Sequence, residues 1–373
     1  MAKKVIVSVI NDLATDQRVK KVCGTLSNMG FEILLVGRQL RNSPAMDARP
    51  YSVKRMKLIF IKGPFFYLEY QIRLFLFLLF HHADVLLSND LDTLLPNYII
   101  SKLKNLPLVY DSHEYFTGVP ELESHPFKKG IWKRIERSVF PHLKHVFTVS
   151  DSIARLYESE YGVLPLVVRN VPEKMNFKKI PGKKSLGLPE DRKIIILQGS
   201  GINVQRGSEE LVEAMQFVPD DMLLLIVGGG DVIDTLKQKA HDLKLEEKII
   251  FKPRLPYNLM MEYTVSADLG VSLDKDTNIN YRYSLPNKVF DYIHAGTPIL
   301  ASELEEIKKL IEKYQVGDFI QNHDPEQIAN KLVQIFNQPE KLKQWRDNTK
   351  IARDALHWKQ ESETVQKVFQ QYA

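Results

Sequence analysis

The stretch SLPNKVFDYIHAGTPILAS, residues 284–302, crowds a proline, an amide, a lysine and an acid into the start of an otherwise apolar helix. Proline suits the first turn of a helix, so Pro286 marks the start. The open N–H groups there, with the helix dipole, make an anion site. Ser284, Leu285 and Asn287 can line that tip, and Lys288 adds a full charge. Asp291 falls one turn further on, where a carboxylate can accept two hydrogen bonds from vicinal hydroxyls. A phosphate at the tip and a ribose one turn along would be a nucleoside diphosphate. The plainer alternative is a surface helix whose early acid suits the dipole.

Two further stretches carry groups of the same kind. In LQGSGINVQRGSEELVEA, residues 197–214, a strand runs into Gly199 and Gly201, and Arg206 precedes a helix start near Ser208. Glycines allow close backbone approach, and a guanidinium suits phosphate oxygens. The Gly-Lys-Ser/Thr ending of a P-loop is missing. In VYDSHEYF, His113 lies just beyond a strand, beside Asp111 and Glu114. There it can bind a sugar hydroxyl or, as imidazolium, steady a leaving diphosphate. NDLD and LDKD contain Asp-x-Asp pairs, a pattern able to hold Mg²⁺ or Mn²⁺ against a phosphate. The pattern is common, however, and Asp92 reads as the N-cap of the helix that follows. No metal is expected at Asp90 and Asp92. His81, His82, His142 and His145 have no partners at metal spacing. The glycines of VGGGD follow an internal strand, where a dinucleotide fingerprint does not belong.

Short apolar runs bounded by turns and alternating with amphipathic helices imply buried parallel strands. In the first half the runs are VIVSVI, EILLVG, KLIFIK, DVLLSND, PLVYDSHE, HVFTVS and PLVVRN. In the second they are KIIILQGS, MLLLIVGGG, KIIFKPR, DLGVSL and TPILAS. A Pro-, Gly- and Lys-rich segment over 170–193 reads as the linker between them. The fold class is therefore α/β, with two Rossmann-like doubly wound domains facing each other across a cleft. We place the N-terminal domain at 1–172, the C-terminal domain at 173–354, and a last helix at 355–373 that packs back on the first domain. Ligand loops of such sheets lie at the carboxyl ends of the strands. Asn11, Asp12, Asp90 and Glu114 fall there in the first domain.

The chain has 373 residues, 44% hydrophobic and 26% charged, as expected of a globular protein with two cores. Its lone Cys23 leaves no intrachain disulfide and fits a reducing compartment. The opening MAKKVIVSVI passes straight into polar NDLATDQRVKK, so no secretory leader is expected. The net charge of +5 is uneven: residues 1–172 carry +7, and residues 38–73 alone carry +6. Such a patch suits an anionic partner. GPFFYLEYQIRLFLFLLFHH, residues 63–82, is too short and too interrupted by Glu69, Gln71 and Arg73 to span a bilayer comfortably. It is either a buried helix or one that lies on a membrane beside basic neighbours. No nucleic-acid-binding module is recognisable.

Taken together, LQGSGINVQRGSEELVEA, LLLIVGGGD, IIFKPRLPYNLMMEYTVSADLGVSL and SLPNKVFDYIHAGTPILAS stand in the order and spacing of one family. They resemble the donor domain of GT-B retaining glycosyltransferases of family 4, also called glycosyltransferase group 1. NDLATDQRVKKVCGTLSNMGFEILLVGR, SNDLDTLLP, YDSHEYFTGVPEL, FTVSDSIARLY and VVRNVP resemble its acceptor domain. The resemblance implies that Arg206 and Lys288 meet the donor diphosphate, Asp291 the ribose, and His113 the transferred sugar or its phosphate. It sets Gly199, Gly201, Arg254, Ser284, Leu285 and Asn287 on the donor side, and Asn11, Asp12, Asp90 and Glu114 on the acceptor side. The chain departs from the family at Tyr283, where the first Glu of the E-x7-E motif is usual, and Asp291 replaces the second.

The resemblance thus implies a retaining transfer of a sugar from a UDP- or GDP-sugar to a hydroxyl. The acceptor would be a glycan or lipid-linked molecule of cell-surface polysaccharide or glycolipid synthesis. The donor is a co-substrate, and no cofactor or metal is expected. The setting would be cytoplasmic, peripheral on the inner membrane face through residues 38–80. The rival readings are a nucleotide-sugar epimerase on the same plan and a non-catalytic sugar-nucleotide-binding or membrane-associated scaffold.

Overall fold

The computed structural model describes residues 2–41, 43, 45–175 and 182–373. Within the expected linker, residues 176–181 lie outside the described residues. The chain divides into two compact units. Unit 1 comprises Met1–Asn170, Asn278–Asn280 and Trp358–Ala373; unit 2 comprises Val171–Thr277 and Tyr281–His357.

The sheet of unit 1 consists of β1 (Lys4–Asp12), β2 (Glu32–Arg38), β3 (Ser52–Met56), β4 (Val85–Asn89), β5 (Leu108–Asp111), β6 (His145–Thr148) and β7 (Leu166–Val167). Its order is β3-β2-β1-β4-β5-β6-β7, and every pairing is parallel. Central strands covered on both faces cannot afford polar alternation, so β1 and β4 are nearly unbroken apolar runs. Helix Gln17–Asn28 is started by Asp16, whose carboxylate accepts from the Val19 N–H. Helix Asp151–Tyr161 is started the same way by Ser150 and stopped by Gly162 in the left-handed conformation. Helix Trp358–Phe369 also belongs to unit 1. Trp358 Nε1 donates to Thr25 Oγ1 at 3.0 Å, Glu361 accepts the Arg169 N–H at 2.8 Å, and Phe369 meets Phe31 edge to face.

The run KLIFIK, expected as a strand, is not one. The third strand is the preceding SVKRM, and residues 57–62 form an exposed loop. The reason is Glu69 of helix Pro64–Phe80. Its carboxylate accepts from the N–H groups of Ile59 and Phe60 at 2.9–3.0 Å, where a strand would have offered them to a neighbour. Asp92 is likewise not an N-cap. Helix Leu91–Lys104 starts after Asp90, which has φ 58° and makes no side-chain cap bond; Asp92 sits inside the first turn.

Unit 2 repeats the plan with β8 (Lys193–Gly199), β9 (Met222–Gly228), β10 (Ile249–Lys252), β11 (Leu269–Ser272), β12 (Ile299–Ala301) and β13 (Gly317–Phe319). The order is β10-β9-β8-β11-β12-β13, again parallel throughout. Ile195, Leu224, Ile226, Leu269 and Leu300 from its strands pack on Leu211, Leu236 and Ile328 from its helices. The glycines of VGGGD serve packing: a Cβ on Gly228, at φ 144°, would stand 1.8 Å from the Gly199 carbonyl oxygen. Strand order reverses between β1 and β4 in unit 1 and between β8 and β11 in unit 2. Those two carboxyl ends are where ligands of doubly wound sheets settle.

Candidate functional site

In unit 2 the reversal point carries one buried acid and two cations. Asp274, just past β11, is fully buried. Its Oδ1 accepts from Arg206 at 3.1 Å, and its Oδ2 meets Ser272 Oγ at 3.2 Å and Lys288 Nζ at 3.3 Å. Burial pushes its pKa up, but Lys288 and Arg206 outweigh that and hold it below the usual carboxylate value. Lys288 is nearly buried, and burial leaves its pKa below that of a free lysine despite Asp274. The guanidinium of Arg206 also stacks over the Tyr281 ring, 4.8 Å from its centroid. Gly207 at φ 70° lets this loop pass beneath Leu273, whose carbonyl oxygen would lie 2.2 Å from a Cβ. Two cations against one carboxylate leave a surplus of one positive charge. It sits at the N-terminus of helix Asn287–Ala295, where Pro286 holds the cap position and no side chain caps the open N–H groups.

Asp291 lies one turn into that helix and is buried. Its Oδ1 accepts from Tyr257 Oη at 2.7 Å and its Oδ2 from Gln198 Nε2 at 3.2 Å. A carboxylate oxygen can accept more than one hydrogen bond, so these contacts are compatible with a ligand hydroxyl as well. Among the other expected donor-side residues, Arg254 donates to the Ser200 carbonyl at 2.6 Å and braces the Gly199–Gly201 turn. Asn287 is exposed, and Ser284 Oγ bonds the Tyr281 carbonyl.

In unit 1 the polar residues gather at the ends of β4 and β5. His113 Nδ1 is 3.2 Å from Asp90 Oδ2, and its Nε2 is 3.1 Å from Asn89 Oδ1 and 3.5 Å from Asp111 Oδ2. Asn89 Nδ2 donates to Ser8, so its oxygen is the acceptor. Both ring nitrogens therefore face acceptors, which an imidazolium satisfies. Burial pulls the His113 pKa down, but Asp90 and Asp111 raise it to about 9. Asp111 is in turn gripped by buried Arg18 at 2.6 and 3.0 Å, and Arg18 also donates to the Val168 carbonyl. Glu114 accepts from Asn280 at 3.1 Å; burial and then the Asp90 charge push its pKa up to about 7. Asp92 is buried, and burial with Asp90 nearby holds its carboxyl well above the usual range. Of the other two expected acceptor-side residues, Asp12 is taken up by Ala14, Ser43 and Arg55, and Asn11 is exposed and donates to Asp16. No three His, Cys, Asp or Glu side chains among the described residues are grouped to hold a metal ion.

Sequence reasoning missed Arg18, Gln198 and Tyr257, all of which hold the named residues in place. Arg18 had a signal: an arginine on the inner side of an amphipathic helix needs a buried acid. Gln198 and Tyr257 had none, because neither lies near Asp291 in sequence.

Two family models cover most of the chain. The family described as glycosyl transferases group 1 matches residues 179–352, and Glycosyltransferase Family 4 matches residues 16–172. The chain belongs to the group 1 glycosyltransferases. The chain is 25% identical over 223 residues to TuaC of Bacillus subtilis, a protein named as a teichuronic acid biosynthesis glycosyltransferase. That match covers 58% of this chain and 52% of the relative. It is 20% identical over 200 residues to a D-inositol 3-phosphate glycosyltransferase of Xylanimonas cellulosilytica, covering 49% and 45%. The chain thus spans about half the length of the curated relatives it matches. Among solved structures, sucrose-phosphate synthase of Thermosynechococcus elongatus superposes with a TM-score of 0.81 at 15% identity, over 99% and 98% of the two chains. HepE of Anabaena, solved with UDP and glucose, gives 0.76 at 13%, over 99% and 100%. These likenesses give the fold, GT-B. Where the family's E-x7-E motif begins, this chain has Tyr283, the last residue of the short helix Ile279–Tyr283.

Proposed function

We propose that this chain transfers a sugar from a nucleoside diphosphate sugar to an acceptor hydroxyl with retention of the anomeric configuration. The observation that carries the reading is the Arg206–Asp274–Lys288 cluster at the tip of helix Asn287–Ala295. A diphosphate answers the surplus positive charge, and Asp291 one turn on can take the ribose hydroxyls. As the bond from the anomeric carbon to the diphosphate breaks, negative charge grows on the leaving oxygen. Arg206, Lys288 and the helix N–H groups steady it. The acceptor oxygen bonds to the same face of the sugar, and its proton passes to the departing diphosphate. No protein carboxylate acts as nucleophile. His113, its two N–H groups engaged by Asp90 and Asn89, is a fixed cation rather than a base. UDP, bound by the structurally similar HepE, is the first base to try.

The acceptor in this proposal is a glycan or lipid-linked molecule of cell-surface polysaccharide or glycolipid synthesis, met on the cytoplasmic side of a membrane. Incubation with a panel of UDP- and GDP-sugars tests the reading. Release of the nucleoside diphosphate with loss of the sugar is expected. Accumulation of the epimeric nucleotide sugar would mean an epimerase, and binding without turnover a scaffold.

A further inference from the structure

Helix Pro64–Phe80 has two apolar faces. Phe66, Tyr70, Leu74 and Leu78 are buried against unit 1, and Tyr70 Oη donates to the Val9 carbonyl. Phe65, Leu68, Ile72, Leu76 and Phe80 form the opposite stripe and are exposed, Phe65 by 64% and Phe80 by 79%. A helix of a soluble domain normally turns charge to that side. The loop before it continues the stripe: Ile59, Phe60 and Ile61 are exposed, Ile59 by 74%, and Phe60 packs its ring on Phe65 with centroids 5.5 Å apart.

This knob is built rather than loose. Glu69 binds the Ile59 and Phe60 N–H groups, and Arg73 pairs with Glu69 at 2.8 Å and reaches the Lys57 carbonyl. The lone acid between residues 51 and 83 is thus consumed inside the element. The exposed charges left beside it are those of Lys54, Lys57 and Lys62. No helix among the described residues is long and apolar enough to cross a membrane. An apolar ridge with exposed lysines beside it matches a bilayer surface carrying anionic headgroups, with the side chains dipping in and the lysines at headgroup level.

We infer that the outward stripe of helix Pro64–Phe80 and the clamped loop 57–62 form one docking surface for an anionic lipid bilayer. It rests on the proposed transferase reading for its purpose, since it would bring the acceptor side of unit 1 to a lipid-linked acceptor. Its evidence is independent of that reading.

The test is co-sedimentation of the full chain with vesicles of phosphatidylcholine alone and of phosphatidylcholine with phosphatidylglycerol. UDP titration on the same samples reports the donor site separately. Binding to the anionic vesicles is expected, and it should fall as salt rises. Lys57→Gln and Lys62→Gln should each weaken it about fivefold at low salt. Leu68→Gln with Ile72→Gln should abolish it, with an unchanged melting temperature because both side chains are exposed. UDP affinity should stay constant throughout. Equal binding to both vesicle types, or binding that survives the double glutamine variant, overturns the inference. So does a dimer in solution that this variant dissociates, because the stripe would then cover a second copy. Lost UDP binding with intact vesicle binding would sink the transferase reading alone.

Discussion

Replacing Arg206 by alanine tests the charge balance at the proposed diphosphate site. One charge-assisted hydrogen bond is worth roughly 1.5–3 kcal/mol, or about 10- to 150-fold in affinity. The geometry argues for the upper end. Asp274 is shared by Arg206 and Lys288, so without the arginine its carboxylate neutralises the lysine and the surplus charge disappears. A second substitution separates this from mere loss of contact. Adding Asp274→Asn to Arg206→Ala releases Lys288 and restores one net positive charge, and about tenfold of the lost affinity should return. Arg206 is about a third exposed, so the single variant should lose only about 1 kcal/mol of stability. Isothermal titration with UDP and GDP, beside chemical denaturation, reads both quantities. A single variant that binds within twofold of wild type refutes the assignment. A folded double variant that recovers nothing refutes the shared-acid argument.

Asp291→Asn should weaken nucleoside diphosphate binding by about tenfold or more, and Tyr257→Phe, which removes only the supporting hydroxyl, by less; equal effects in calorimetry would show that Asp291 merely anchors Tyr257. Glu114, raised to about 7, ionises in the folded chain at a cost that grows as pH climbs from about 4.5 towards 7. Glu114→Gln is spared that cost, so its stability relative to wild type should rise between pH 5 and pH 8 in denaturant titrations; a constant difference would mean Glu114 ionises normally. Transfer should persist in EDTA, because two cations and a helix tip stand at the diphosphate; activity lost and then restored by Mn²⁺ would return Asp90 and Asp92 to consideration.

The elements most legible in the sequence were those with both faces buried. The inner strands of each sheet were visible as apolar runs, and Pro286 marked the start of its helix. Legibility failed at the sheet edges. SVKRM pairs on one side only, and its alternating polar residues carry little signal, while the adjacent KLIFIK is strongly apolar for a reason other than burial in a sheet. GDF is too short to stand out. In the candidate site, the types and order of Arg206, Lys288 and Asp291 were readable. Their pairing was not, because Asp274, Gln198 and Tyr257 reach them only through the fold. The position of His113 could be read, but its imidazolium state depends on Asn89, Asp90 and Asp111 converging from two strand ends.

The helix Trp358–Phe369 has a consequence for the order in which the chain acquires its shape. Its Trp358, Glu361 and Phe369 complete a unit whose sheet is otherwise built from residues 4–167. A ribosome adding about 5–20 residues per second needs roughly 10–40 s to make residues 171–357. Through that interval the first-made unit must wait with Thr25, Phe31 and Arg169 uncovered, while the later unit can close as soon as it emerges. The half translated first is therefore the half finished last. A premature stop just before Trp358 would leave unit 2 with all its strands and do its damage to unit 1, far upstream in the message.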